Sequence, residues 1–125
     1  MYTILVVDDE ASIRALYRAE LEEDGYRVVC AEDGASAHQA IEQNEVHLVV
    51  LDIKLRGESG LQILQDITRN HRELPVILST AYSSFKDDFS SWLADSYVVK
   101  SSSLKELKAE VVKVISRRYG GALSQ

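Results

Sequence analysis

Apolar residues along the chain follow two spacings, and each change of spacing marks the edge of an element. Residues 3–7, 26–31, 46–51, 76–79 and 97–99 are short apolar runs rich in β-branched residues. Runs of this kind, closed by polar or turn-forming residues, read as buried strands of a parallel sheet. Arg27 interrupts the second run, which is therefore expected to be less buried, and Pro75 opens the fourth, where proline is tolerated. Between the runs the apolar spacing changes to three and four. Ile13, Leu16, Tyr17 and Leu21 mark a first helix, which Gly25 ends with a left-handed cap. Asp33-Gly34 is a turn signal, and 35–43 form a short helix with Ala37, Ala40 and Ile41 inward. Leu61, Leu64 and Ile67 mark a helix running to residue 70. Phe85, Phe89, Trp92 and Leu93 fit a helical stripe over 82–94, but four interspersed serines are mediocre helix formers, so a short or frayed helix is expected. Leu104, Leu107, Val111, Val114 and Ile115 face inward from the last helix, with Ser103 as N-cap and Glu106 completing a capping box. Residues 119–125 read as a loose, flexible tail.

Five repeats of strand then helix imply a parallel sheet with helices on both faces. Right-handed crossovers leave few topologies, of which the flavodoxin-like strand order 2-1-3-4-5 is the leading choice. No internal repeat or second domain is visible, so 1–118 of the 125 residues are expected to form one domain.

Composition adds exclusions. Hydrophobic residues make up 46% and charged residues 27%, as in an ordinary globular protein. A net charge of −6 without any basic run argues against a nucleic-acid surface. Cys30 is the single cysteine, which rules out an internal disulfide; it reads as a small apolar residue in a reducing, cytoplasmic setting. No signal peptide is recognisable, and no run approaches the ~20 apolar residues of a membrane span.

The chemistry gathers at the strand ends. The first strand ends in Asp8 and Asp9, the third in Asp52, the fourth in Thr80 and the fifth in Lys100. Any one of these has an ordinary reading, since Asp8 or Asp9 caps helices well and Lys100 suits a solvated strand end. In a parallel sheet, however, all of these ends lie on one edge, where such folds place ligands. Three carboxylates beside one ammonium and one hydroxyl repel one another unless a cation offsets them. A hard divalent ion that keeps several waters is the chemical match, which points to Mg²⁺.

Four stretches resemble the receiver domains of two-component response regulators, the CheY-like family. They are Val6-Val7-Asp8-Asp9-Glu10, the segment from Leu51-Asp52-Ile53-Lys54 to Ser59-Gly60, Ser79-Thr80-Ala81, and Tyr97-Val98-Val99-Lys100. The resemblance covers about residues 2–118. It implies that Asp52 takes a phosphoryl group from a phosphohistidine on a sensor histidine kinase or phosphotransfer protein. It also implies that Asp9, Asp52 and the Lys54 carbonyl hold Mg²⁺, with Asp8 acting mainly through water. Lys100, Thr80 and the backbone N–H of Ala81 would contact the phosphoryl oxygens. Family behaviour has Thr80 shift toward that group and Tyr97 turn inward behind it. Lys54 and Tyr82 occupy the family positions that flank the phosphoryl group and tune its lifetime. Such a domain is not an enzyme in the usual sense, catalysing only its own phosphorylation and dephosphorylation. Output would pass through a partner or a domain outside this sequence, with dimerisation possible through residues 82–118.

The chain departs from the family pattern in several places. Arg56 stands where proline is usual, and Ala94-Asp95-Ser96 replaces a common Gly-Ala pair. Ser101 also replaces a proline that normally follows a cis bond; non-proline cis bonds cost about 2.5–4 kcal/mol, so a trans Lys100–Ser101 bond is expected. None of these changes removes a reacting group. His38, His47 and His71 are not expected to cluster: His38 and His71 read as exposed helix residues and His47 as an ordinary strand residue. Two competing functions use the same fold: a small Mg²⁺-dependent phosphohydrolase with Asp52 as nucleophile, and an interaction domain that is never phosphorylated. The first lacks room for a substrate-covering cap, and the complete set of strand-end groups argues against the second.

Overall fold

The computed structural model describes residues 1–55, 57–81, 93–100 and 104–120. Five apolar runs form one sheet: β1 (Thr3–Val7), β2 (Arg27–Ala31), β3 (Leu48–Leu51), β6 (Val76–Thr80) and β7 (Ser96–Val99). All neighbours are parallel and the order is β2-β1-β3-β6-β7, which is the expected 2-1-3-4-5 once the main-sheet strands alone are counted. β1, β3 and β6 are buried throughout, whereas Arg27 on the edge strand β2 is exposed.

Alternation along the strands divides the core into two layers. Leu5, Val7, Val49, Leu51, Val76 and Leu78 pack on α2 (Gly34–Gln43) and α3 (Gly60–Asn70). Ile4, Val6, Leu48, Val50, Ile77 and Val98 pack on α1 (Ala11–Glu23) and α4 (Lys105–Tyr119). The helices begin and end for local reasons. After α1, Gly25 takes φ +97°, and the N–H groups of Gly25 and Tyr26 donate to the carbonyls of Glu22 and Leu21, a Schellman ending. Asp33 caps α2 by accepting from the Ser36 N–H at 2.8 Å, while the Ser36 hydroxyl reciprocates.

Several expectations change. Leu16 is 46% exposed, because Ile13, Tyr17 and Leu21 fall in one row four residues apart and alone make the inward stripe of α1. Position 104 rather than 103 is the N-cap of α4, with no side-chain cap bond; Ser103 itself lies outside the described residues. Tyr119 belongs to the last helix rather than to a tail. Its hydroxyl donates to the His47 carbonyl at 2.7 Å, and its ring packs with Tyr2 and His47 at centroid distances of 5.3 and 5.5 Å. His47 precedes β3 and is anchored there, its Nδ1 accepting from the Thr3 N–H at 3.0 Å. The stripe over 82–94, Tyr82 among it, falls outside the described residues apart from 93 and 94, as do the Lys100–Ser101 bond and residues 121–125.

The stretch after Asp52 is the main departure. It is a small antiparallel hairpin, β4 (Lys54–Leu55) and β5 (Glu58–Ser59), with Lys54 opposite Ser59 and Leu55 opposite Glu58. Ile53 and Leu55 are buried beneath it, and Gly57 takes φ +78° at the turn.

Candidate functional site at the carboxyl edge of the sheet

The sheet's own hydrogen-bond ladders place the polar groups. Asp8, Asp52 and Lys100 each stand one residue beyond a strand, and each backbone N–H extends the ladder by one bond. Asp8 donates to the Ala31 carbonyl at 3.1 Å, Asp52 to Val7 at 3.0 Å and Lys100 to Thr80 at 2.6 Å. Their side chains are thereby presented side by side on one edge. The Lys100 ammonium donates to Asp8 Oδ2 at 2.7 Å and to Asp52 Oδ2 at 3.2 Å. All three are enclosed: Asp8 is 2% exposed, Asp52 is 7% exposed, and the Lys100 side chain is 16% exposed.

The second carboxylate oxygens are held by backbone. Glu10 N–H donates to Asp8 Oδ1 at 2.9 Å, and Lys54 N–H makes a long contact of 3.4 Å with Asp52 Oδ1. Arg14, on the first turn of α1, donates to the Asp8 carbonyl at 2.6 Å and so pins the acidic turn from below. Sequence reasoning missed this role, for an arginine on a helix surface carries no mark of it.

Electrostatics follows from the burial. Burial pushes the Asp52 carboxyl above the ordinary aspartate range; the charge of Asp8 adds to the rise and Lys100 opposes it. Burial also opposes the charge on Lys100, yet the hydrogen bond to Asp8 and the two carboxylate charges outweigh it and raise its pKa. One ammonium thus compensates two buried carboxylates, and a third acid stands beside them. Oxygens of Asp8, Asp9 and Glu10 lie within 4.8 Å of one another. The donor set is all oxygen and carries excess negative charge, which suits a hard cation such as Mg²⁺ and gives a soft metal no ligand. Glu10 is an addition to the expected set. It was visible in the sequence as the third of three adjacent acids, but its side chain belongs to the residue that starts α1.

Thr80 is fully buried at the end of β6, and Ala81 follows it exposed. Tyr97 pairs with Leu78 and is half-buried against the layer of α2 and α3. Since Leu78 and Thr80 are two residues apart, Thr80 faces the same side of the sheet as Tyr97. Lys54 is exposed on β4, beside the site.

Gly60 was quoted in the motif without a role, and the structure supplies one. Its N–H donates to the Ile53 carbonyl at 2.6 Å. A Cβ there would overlap the Asp52 carbonyl oxygen and lie 2.7 Å from Ile53 Cα. Only glycine lets α3 start so close to the backbone that carries Asp52. His38 and His71 both line a cleft with Glu42, Asp66 and Asn70, but neither joins the close acidic group of Asp8, Asp9 and Glu10. The cleft forms because α2 and α3 pack on the same face and run side by side. Cys30 is half-buried and burial raises its thiol pKa, consistent with a packing role.

The family model of the response regulator receiver domain matches residues 4–112. A probable transcriptional regulator, ycf27, of Porphyridium aerugineum is 38% identical over 116 residues, which are 91% of this chain and 48% of the relative. The chain thus spans about half the length of that curated relative. The solved response regulator TrrA of Thermotoga maritima, in complex with Mg²⁺-BeF, is 46% identical with a TM-score of 0.88, over 91% of this chain and 99% of that one. TrrA was also solved in complex with the histidine kinase ThkA, at 46% identity and a TM-score of 0.85, over 91% of this chain and 98% of that one. A CheY-like receiver domain protein of Methanospirillum hungatei has a TM-score of 0.89 at 26% identity, over 95% of this chain and 97% of that one.

Proposed function

The chain belongs to the response regulator receiver domain family, and from that premise we propose that Asp52 accepts a phosphoryl group from a phosphohistidine of a sensor histidine kinase. The observation that carries this reading is Lys100 held between two buried carboxylates, Asp8 and Asp52, on the carboxyl edge of the sheet. The kinase complex of TrrA supports the class of donor.

In the transfer, one carboxylate oxygen of Asp52 forms a bond to phosphorus. The bond from phosphorus to the donor's imidazole nitrogen breaks, and its electron pair stays on that nitrogen. Asp52 is primed by position, since its backbone is fixed by Val7 and by Gly60 through Ile53. Phosphoryl transfer asks chiefly for positioning and charge stabilisation. Lys100, freed from Asp52 as the carboxylate becomes an acyl phosphate, meets a phosphoryl oxygen, with Thr80 and the Ala81 N–H as further donors. Asp9, Asp52 and the Lys54 carbonyl would hold Mg²⁺, Asp8 acting through water and Glu10 at its rim; bound there, the ion supplies positive charge to the transferring oxygens. The phosphoryl group adds roughly 1.5 to 2 negative charges at one point. Thr80 moves toward it, Tyr97 turns into the space left on the shared face, and the altered surface around β7 and α4 is read by an output partner or a second copy. Lys54 and Tyr82 shield the phosphoryl group from water.

The test is incubation with acetyl phosphate and Mg²⁺ followed by intact mass. The gain of one phosphoryl group in the parent, absent from Asp52→Asn, is the expected result. No gain, or a gain retained by the variant, overturns the assignment. Turnover of an added phosphomonoester, with no labelled protein, would instead favour a hydrolase.

A further inference from the structure

We propose that Glu58 is a positioning residue for the Mg²⁺ site, acting by pinning the hairpin after Asp52 to the first amide of α2. The inference rests on the reading above, in which the Lys54 carbonyl is an Mg²⁺ ligand. Each strand of this hairpin has two residues, too few to hold their own geometry. On its inner side Ile53 and Leu55 are buried, and behind it Gly60 abuts the backbone of Asp52 and Ile53. The outer strand β5 is exposed, and Glu58 ties it to α2. That carboxylate accepts from the Gly34 N–H at 2.5 Å.

The seat for it is made by α2. Gly34 is the first helical residue, whose N–H has no intrahelical acceptor. The Asp33 side chain, which caps this helix, is engaged with the N–H and hydroxyl of Ser36. A carboxylate from elsewhere completes the helix start, where negative charge is favoured. Gly34 also has no side chain to block the approach: a Cβ there would come within 3.0 Å of Glu58 Oε2 and 3.3 Å of Ile63 Cγ1. Glu58 stands opposite Leu55, and the neighbouring pair is Lys54 and Ser59. Fixing Glu58 therefore fixes the strand whose Lys54 N–H points at Asp52 Oδ1 and whose Lys54 carbonyl is, on the reading above, a ligand of Mg²⁺.

Glu58→Ala and Glu58→Gln separate this role from a merely structural one, with Mg²⁺ affinity measured by calorimetry and amide hydrogen exchange in metal-free protein. Contacts in outer shells change metal affinity by roughly tenfold or more, so Glu58→Ala is expected to bind Mg²⁺ about three- to tenfold more weakly. Its Gly34 and Lys54 amides should exchange faster, and Glu58→Gln, whose side-chain oxygen still accepts, should recover both. Parent-like affinity in Glu58→Ala, equal loss in both variants, or a Glu58→Ala protein that does not fold overturns the proposal. If the parent itself binds no Mg²⁺, the reading of the site fails; the pin is then judged by exchange alone, and unchanged Gly34 and Lys54 rates in Glu58→Ala would sink it as well.

Discussion

The ammonium of Lys100 lies 2.7 Å from the carboxylate of Asp8, ninety-two residues earlier in the chain, and is nearer to it than to Asp52 at 3.2 Å. Asp8 is thus the nearer partner of Lys100, and Asp52 holds the weaker share. Removing the lysine strands two buried carboxylates, and breaking a buried pair in this way costs about 3–5 kcal/mol. Lys100→Met should therefore lose about that much stability at pH 7 without Mg²⁺, and less in acid, where Asp52, its carboxyl pushed up by burial, sheds its charge. Because the Lys100 pKa is raised, the pair's contribution in the parent is complete below the lysine's ordinary value of 10.5 and is lost as pH rises through its folded value. Urea denaturation at several pH values checks both slopes.

Asp52→Asn should fold normally and gain no phosphoryl mass, since an amide is no nucleophile. The raised pKa of Asp52 means that its ionised form is disfavoured in the native state, chiefly by burial. Stability is then withheld as pH rises from the ordinary aspartate value through the raised one. The variant is accordingly expected to melt higher than the parent at pH 7 without Mg²⁺, and the gain should vanish when pH falls below about 3.8, the ordinary value. Scanning calorimetry of both proteins decides it; equal melting at pH 7 would contradict the burial argument.

Asp9→Ala removes an anionic oxygen from the acidic cluster and is expected to weaken Mg²⁺ binding at least tenfold, a change of about 1.4 kcal/mol. Calorimetric titration gives the number directly. A variant that binds as tightly as the parent would place the ion elsewhere.

Gly60→Ala and Gly57→Ala make a paired test of backbone against space. At Gly57 nothing lies within 4 Å of an added Cβ, and the cost is that of a positive φ, roughly 1–2 kcal/mol. At Gly60 the Cβ meets the Asp52 backbone, so the loop must move; about 1–3 kcal/mol is expected together with slower phosphorylation by acetyl phosphate. Normal phosphorylation kinetics in Gly60→Ala would show that the loop tolerates the shift.

Lys54→Asn combined with Tyr82→Ala should speed loss of the phosphoryl group in the presence of Mg²⁺. On the proposed reading, a long side chain and an aromatic ring at the two flanking positions would crowd out the in-line water that hydrolysis needs. Loss of labelled protein over time measures it, and an equal or slower rate in the double variant refutes shielding.

The strands and the strand-end groups were legible because both signals are local. An apolar run closed by Asp8, Asp52 or Lys100 says where a buried strand stops, and a parallel sheet turns these three stops into one edge. Side-chain ties between distant elements leave no comparable mark. Nothing near Gly34 announces Glu58, and Arg14 looks like any exposed helix residue until it reaches the Asp8 carbonyl. Leu16 and Tyr119 went astray at element margins. A helical stripe has a width that spacing alone does not fix, and Tyr119 is held by Tyr2 and His47, which lie far off in sequence.

The first strand of the chain is an interior strand of the sheet rather than its rim, since β1 pairs with β2 on one side and β3 on the other. A ribosome therefore delivers an interior strand first and both of its neighbours later, and the last strand to arrive brings Lys100. Until then Asp8 and Asp52 emerge as uncompensated acids, so a nascent chain halted before residue 100 would hold Asp52 without its counter-charge. Trimming a few residues from the amino end would likewise not fray an edge; it would part β2 from the other three strands.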